Sequence, residues 1–181
     1  MRSTYHPVSV LWHWLIAILI VAAYYFVLVR PDTPGPSPEK LQMMSYHKWV
    51  GITVLAFSVL RIVSRFIFPA PAMGADVQMP AWQNKVHKTT LFLMLLLTIA
   101  IPLGGWLMSS AAGRPVVWFG VLQLPDLIGV NKDLAGQIKE VHETAAWLLL
   151  VLVGLHTAAA LKHHFVDKDS VLARMLPFLK K

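Results

Sequence analysis

The chain contains no cysteine, which excludes disulfide bonds, thiolate metal sites and iron–sulfur clusters. Charged residues are also scarce, at 14% of 181 residues, whereas roughly a quarter is usual in a soluble domain. Sixteen Lys and Arg outnumber nine Asp and Glu. These basic residues are not clustered on a soluble module, so nucleic acid is not an expected partner. With 56% hydrophobic residues, the composition indicates an integral membrane protein whose surroundings are the lipid bilayer.

Four apolar runs stand out, each close to the ~20 residues that a helix needs to cross hydrocarbon. Short proline-rich stretches separate the first three runs, and a longer loop precedes the fourth. With their flanks, the runs predict helices over about residues 8–29, 47–67, 86–108 and 140–163. We therefore predict an all-α fold: one domain over residues 1–181 that forms an integral membrane four-helix bundle.

The distribution of basic residues predicts the orientation of the bundle. If the N-terminus is cytoplasmic, ten Lys and Arg lie on the inner side and six on the outer side, where six acidic residues balance them. Cytoplasmic loops carry the excess of Lys and Arg. Both termini are therefore predicted to be cytoplasmic, and "inner" and "outer" below follow this prediction.

The histidines of the predicted helices form two layers. His13, His87 and His156 fall in the inner half of the bundle, and His47 and His142 fall in the outer half. His142 and His156 are 14 positions apart, which leaves them ~40° from alignment and ~21 Å apart along one helix. One helix therefore offers an imidazole to the bundle interior in each leaflet, an arrangement that suits two stacked cofactors.

Helix two repeats this interval, because His47 and Arg61 are also 14 positions apart. Arg61 should then face the interior at the inner level, where an unpaired guanidinium is costly and needs an anion. The propionates of a haem supply one. Gly51 lies one turn after His47, and Gly154 lies just before His156. These small residues leave room for a flat macrocycle, so the pattern favours two haems of b type.

Two other roles are known for histidines in membrane helices. A zinc or copper carrier would favour ligands that converge on one midplane site with carboxylates among them. Here the histidines are separated by leaflet, and no Asp or Glu lies deep in a span. Each histidine could instead be an interfacial residue bonded to a carbonyl. Topology pairs His47 with His142 in the outer layer, but for the inner layer it leaves His13 and His87 as alternative partners of His156.

Six motifs then carry a resemblance to a known family. They are HW at 13–14, HKWVG at 47–51, RIVSR at 61–65, GRPVVWFG at 113–120, HET at 142–144 and GLHTAAALKHHFVDKD at 154–169. In this order they make the chain similar to the bacterial cytochrome b561 family, di-haem four-helix membrane cytochromes related to the b-type subunits of nickel–iron hydrogenases. The resemblance covers essentially the whole chain, although residues 122–137 offer no matching motif.

The resemblance implies two haem b groups. It assigns His13 and His156 as axial ligands of the inner haem iron, and His47 and His142 as axial ligands of the outer one. It also implies a bacterial cytoplasmic (inner) membrane location, as a multi-pass protein.

The histidines left over are predicted to serve a quinone. The resemblance makes His87 a rim residue that is available to a quinone head group. His163 follows His156 by seven positions, so it faces the same way ~10 Å further along the helix. We assign His163 to the quinone site rather than His164, which points ~100° away. The alternative is that this basic end of the helix extends its side chains to the headgroups.

The resemblance further implies an oxidoreductase that passes electrons to ubiquinone, with superoxide as the donor at the outer face. Four outer cations could attract a small anion: Lys48, Arg114, Lys132 and Lys139. However, Glu140 and Glu143 flank His142 and reduce the local positive charge. The alternative is a membrane anchor and electron-transfer subunit for a partner dehydrogenase or hydrogenase, with a redox protein as its partner.

Overall fold

Four long helices make up most of the fold. The computed structural model describes residues 4–32, 34–72, 76–77 and 79–179. The helices are α1 (Pro7–Leu28), α2 (Pro38–Ile67), α3 (Ala81–Ala111) and α4 (Lys132–Lys162). All four are long and apolar enough to cross a membrane. The predicted all-α transmembrane four-helix bundle is confirmed. The orientation of its termini stays a prediction, and three of the cations it counted (Arg2, Lys180 and Lys181) lie outside the described residues.

The last three helices begin several residues before the predicted positions, and side-chain caps set the starts of two of them, α2 and α4. Ser37 precedes α2, and its hydroxyl accepts a hydrogen bond from the Lys40 N–H at 3.2 Å. Asn131 caps α4 in the same way, accepting from the Leu134 N–H at 3.0 Å. Such residues satisfy backbone donors that the helix itself leaves free. An apolar run marks only the part of a helix that lies in hydrocarbon.

Helix packing leaves α4 apart from half of the bundle. Helix α1 packs against α2, α2 against α3, and α3 against α4, whereas close backbone contacts of α4 with α1 or α2 are few or absent among the described residues. Side chains bridge this separation; one example is the Tyr24 hydroxyl, which donates to the Ala146 carbonyl. The fully buried apolar residues in the described chain are correspondingly few: Ile16, Val54, Ala111, Val116, Ala135 and Leu149.

A short β-hairpin covers the outer end between α3 and α4. Its strands are β1 (Val117–Trp118) and β2 (Leu122–Gln123), paired antiparallel. Three residues, 119–121, turn the chain, and Phe119 and Gly120 among them have positive φ of 50° and 73°. The Trp49 indole N–H of α2 donates to the Val117 carbonyl at 2.6 Å. This bond fixes the hairpin to the outer half of α2.

At the inner end, the segment after α4 folds back onto the connection between α2 and α3. The buried Arg174 donates to the carbonyls of Pro71 and Ala72 at 2.7 and 2.9 Å. Asp76 accepts hydrogen bonds from the backbone N–H and the hydroxyl of Ser170 at 2.7 and 3.1 Å. The bond from the Ser170 side chain holds the pKa of Asp76 below its usual value. The C-terminal segment is thus fastened to the protein at two points.

Candidate functional site

Two pairs of histidines face each other across the separation between α4 and the first two helices. His13 of α1 and His156 of α4 have ring centroids 6.3 Å apart. His47 of α2 and His142 of α4 have ring centroids 6.2 Å apart. Helix α4 therefore contributes one imidazole to each pair, as the 14-residue interval predicts. His87 of α3 makes no ring contact with either pair among the described residues, although it lies within electrostatic range of His156.

These distances suit a metal bound between the rings of each pair. A metal–imidazole bond of about 2.0 Å and about 1.1 Å from nitrogen to ring centre, taken twice, separate two axial imidazoles by about 6.2 Å. Both pairs match this separation. The inner pair consists of His13 and His156, which is the choice that the resemblance made over His87. Whether these residues bind haem iron stays a prediction that the geometry fits.

The outer imidazoles are oriented by backbone carbonyls. His47 Nδ1 lies 2.9 Å from the Ala23 oxygen, and His142 Nδ1 lies 3.0 Å from the Ile101 oxygen. Because a carbonyl only accepts, we assign the Nδ1–H tautomer to both rings. Each Nε2 then keeps its lone pair for a metal, which is the usual arrangement of a histidine ligand and its outer hydrogen bond.

The inner pair lies among positive charge instead. His13 Nδ1 is buried without a hydrogen-bond partner among the described residues. Arg61 lies within electrostatic range of both His13 and His156, and Arg65 within range of His13. The buried Nη1 of Arg65 also has no partner in the described chain. Neither arginine pairs with an acid there, so the donors at this end fit an anionic group such as a haem propionate.

Sequence analysis predicted Arg61 and missed Arg65. The signal was available, because residues four apart lie on the same face of a helix. Arg65 also stacks its guanidinium over the ring of Tyr5, 4.8 Å from the centroid. Tyr5 receives the buried Arg174 from the C-terminal segment as well, 5.3 Å from the centroid. Arg65 is therefore held in place by Tyr5, which the folded-back C-terminal segment also contacts.

Three glycines lie near the histidines in sequence or in space. A Cβ on Gly51 or Gly154 would meet no atom within 4 Å beyond its own helical backbone, so their role of leaving room for a macrocycle stays a prediction. Gly105 of α3, which sequence analysis missed, is different. A Cβ there would lie 3.1 Å from Cε1 and 3.4 Å from Nδ1 of His142. The glycine pair at 104–105 inside an apolar helix was the available signal.

The four cations predicted to steer an anion do not form one cluster. Lys48, next to His47 in sequence, donates to the Arg114 carbonyl at 3.3 Å, and the two charges lie within electrostatic range. Lys139 instead pairs with Glu143 at 3.6 Å. Lys132 starts α4 and makes no hydrogen bond or ion pair with the other three cations in the described residues. The cations within electrostatic range of His47 are Arg30, which is not among the four, and Lys48.

His87 and His163, the two residues predicted to bind the quinone, lie within electrostatic range of each other. His163 is only 6% exposed. Its Nδ1 lies 2.6 Å from an Asp169 carboxylate oxygen and 3.3 Å from one of Asp167. A side chain buried and paired in this way does not reach for the headgroups. His164 is half-buried and packs against Phe165, with centroids 4.8 Å apart.

Comparison with known proteins agrees with this architecture. Residues 4–178 match the family model described as prokaryotic cytochrome b561. The chain is 32% identical over 176 residues to cytochrome b561 homolog 2 of Escherichia coli K12, covering 95% of this chain and 90% of that protein. It is 29% identical over 177 residues to the probable superoxide oxidase CybB of Yersinia pestis, covering 98% of each. It is also 29% identical over 176 residues to cytochrome b562 of Cereibacter sphaeroides, covering 95% and 94%.

The contact between Gly105 and His142 generates a prediction. In Gly105→Ala, the added methyl group should push the His142 ring away from the Ile101 carbonyl, since overpacking of this kind costs ~1–3 kcal/mol. We expect the outer haem to be lost or its spectrum changed, while the inner haem is retained. Haem per chain and the reduced-minus-oxidised spectrum of purified protein measure this.

Gly104→Ala is the matched control, because its Cβ would meet no atom within 4 Å. It should keep the wild-type haem content and spectrum. Equal behaviour of the two variants would contradict the assigned contact.

Proposed function

Because the chain belongs to the prokaryotic cytochrome b561 family, we propose that it is a di-haem cytochrome that moves electrons across the bacterial cytoplasmic membrane to ubiquinone. We further propose that superoxide is the donor at the outer face, which makes the protein a superoxide:ubiquinone oxidoreductase. The observation that carries the proposal is the pair of imidazole couples at 6.3 and 6.2 Å, one towards each end of α4.

In this proposal His13 and His156 hold the inner haem, and His47 and His142 hold the outer one. Each haem, when bound, supplies a one-electron carrier. The chain supplies the ligands and their orientation: the carbonyl of Ile101 holds His142 by Nδ1, so that Nε2 is directed at the metal. The 14 residues between the two ligands on α4 correspond to ~21 Å. That rise covers most of the ~30 Å of hydrocarbon.

Two observations support superoxide as the donor. A relative aligned over 98% of this chain bears the name probable superoxide oxidase. Arg30 and Lys48 also place positive charge within electrostatic range of His47, where a small anion would be attracted. The proposed reaction balances as two superoxide anions, one quinone and two protons giving two dioxygen molecules and one quinol. Each superoxide gives up one electron.

A second candidate function rests on the hairpin at the outer end. Val121 at its tip is 88% exposed, and Phe119 and Leu122 are more than half exposed. An apolar tip beside the outer histidines would also suit a docked redox protein, and the chain would then be the membrane anchor and electron-transfer subunit of a dehydrogenase or hydrogenase. Isolated protein that oxidises superoxide and reduces ubiquinone without a partner would exclude this alternative.

For the acceptor, we propose that the quinone head group binds at the inner end near His87 and His163. The support is that the two rings lie within electrostatic range of each other, at the same end of the bundle. This end also carries the arginines proposed for the inner haem, so the acceptor would lie near the last carrier.

The two couples predict how haem content responds to single substitutions. His142→Ala and His156→Ala should each leave about one haem per chain, because each removes an axial bond from one couple only. His47→Ala should resemble His142→Ala, and His13→Ala should resemble His156→Ala. Haem content and optical spectra of the purified variants measure this, and His87→Ala is the control that should keep about two haems. If His87→Ala loses the inner haem and His13→Ala keeps it, the partner of His156 is His87 on α3 and not His13.

Arg61 gives a second prediction. Arg61→Leu should leave a propionate of the inner haem unpaired, and removal of one partner of a buried pair typically costs ~3–5 kcal/mol. We expect the inner haem to be lost or its midpoint potential to fall, with the outer haem unaffected in a redox titration. Arg61→Lys, which keeps the charge, should lie closer to wild type. A titration identical to wild type in Arg61→Leu would remove this residue from the site.

Lys48 tests the route of the donor. Lys48→Glu should slow the reduction of the outer haem by superoxide at least several-fold at low salt, and the slowing should shrink as salt screens the charge. Stopped-flow reduction at several ionic strengths measures the effect, after haem content has been checked. Lys139→Glu is the matched control, because Lys139 is exposed and already paired with Glu143. If the two variants behave alike, the positive charge at Lys48 does not guide the donor.

A further inference from the structure

The turn that ends α4 encloses a histidine–carboxylate pair whose role the electron path does not explain. Helix α4 passes into a π-helical turn, His163–Asp167, and Lys168 then adopts a left-handed conformation with φ 56°. A π turn and a positive φ at a non-glycine residue are both uncommon and often mark function. Together they bring Asp169 back to His163, so that the Asp169 N–H donates to the His163 carbonyl at 3.1 Å.

The carboxylate of Asp169 is held firmly against the imidazole. One oxygen lies 2.6 Å from His163 Nδ1, and the other accepts a hydrogen bond from the Val171 N–H at 3.0 Å. The Asp169 side chain is only 5% exposed. The next residue, Ser170, is bonded to Asp76 through both its backbone and its hydroxyl. The position of this acid is therefore fixed from both sides.

The other nitrogen of His163 is left available. Nε2 has no protein partner among the described residues, and it is not among the side-chain atoms that are fully shut off from solvent. A carboxylate on Nδ1 fixes the tautomer of a histidine, orients its ring and stabilises its protonated form. His163 is therefore arranged to give up a proton from Nε2, and His87 of α3 lies within electrostatic range.

A second acid connects the pair with water. Asp167 lies 3.3 Å from His163 Nδ1, and its side chain is 31% exposed. Lys162, which is 53% exposed, bonds both oxygens of Asp167 at 2.6 and 2.7 Å. Exposure thus increases from His163 and Asp169 to Asp167 and Lys162. Solvent at this end can supply the proton that replaces the one released at Nε2, while Nδ1 keeps its hydrogen bond to Asp169.

We propose that His163 delivers a proton to the quinone during its reduction and that Asp169 is the positioning residue that enables this. In each delivery the N–H bond at Nε2 breaks and an O–H bond forms on the quinone. The two electrons come one at a time through the cytochrome, and the two protons come from the inner solvent. This inference rests on the proposed quinone site, and it adds the source of the protons.

The test uses the holoprotein in detergent, reduced beforehand and mixed with the soluble analogue ubiquinone-1 in a stopped-flow instrument. Haem reoxidation reports the quinone step, and reduction by superoxide is followed separately. In Asp169→Asn we expect reoxidation to slow ~10–100-fold, as for other partners that orient a histidine. Haem content and the rate of haem reduction should not change. The amide keeps the shape and one acceptor but loses the negative charge beside His163 Nδ1.

A pH profile distinguishes proton delivery from a structural role. If Asp169 serves proton delivery through His163, the dependence of the reoxidation rate on pH should differ between Asp169→Asn and wild type. The charged groups that face His163 are Asp167, Asp169 and Lys162 on its own segment and His87 on α3. Asp133→Asn is the matched control, since that exposed acid lies at the opposite end of α4 from His163. It should shift the profile little.

Each outcome decides the proposal. Wild-type reoxidation that does not respond to ubiquinone-1 overturns the proposed function itself. Normal wild-type reoxidation with an unchanged rate and profile in Asp169→Asn overturns only this inference. If Asp169→Asn loses haem, the wild-type protein can still be tested. Proton delivery requires that deuterium oxide slow haem reoxidation more than it slows haem reduction. The absence of that difference rejects proton delivery. Slowing by a chelator that zinc reverses would instead make these three side chains a cation site, which also rejects it.

Discussion

The structure depends on the cost of placing an imidazole in hydrocarbon, where a ring nitrogen without a partner loses its hydration. The outer couple meets this cost on one side, because His47 and His142 each use Nδ1 on a backbone carbonyl. Their remaining nitrogens require something between the rings. Helix α4 can supply both couples only because it stands away from α1 and α2. The apolar core of the described bundle is correspondingly small.

The two ends of the bundle differ in charge, and the difference suits electron movement inwards. Arg61 and Arg65 lie near the inner couple without acidic partners among the described residues. Positive charge in a poorly hydrated region favours the reduced form of a nearby carrier. The outer couple also has cations in range, Arg30 and Lys48. Arg30 is exposed, so water and salt screen its charge, whereas Lys48 is half-buried.

Local rules allowed much of this to be predicted. Hydropathy predicts four spans, and helical periodicity predicts that positions 142 and 156 share a face, because both depend on neighbouring residues in one helix. The contact of Gly105 with His142 could not be derived, since it depends on how α3 packs against α4. The pairing of His163 with Asp169 also escaped, because six residues correspond to no shared face of an α-helix and meet only through a π turn and a left-handed residue.

The C-terminal segment acquires a role from these contacts. Sequence analysis treated its basic residues mainly as a guide to orientation, yet Arg174 is buried against Tyr5, whose ring also receives Arg65. Asp76 holds Ser170, and Ser170 follows the acid that orients His163. The same segment therefore braces an arginine of the proposed inner haem site and a carboxylate of the proposed proton donor. If electrons and protons meet at this end, the C-terminal segment and the connection between α2 and α3 hold the inner haem site and the proposed proton donor at a fixed distance from each other.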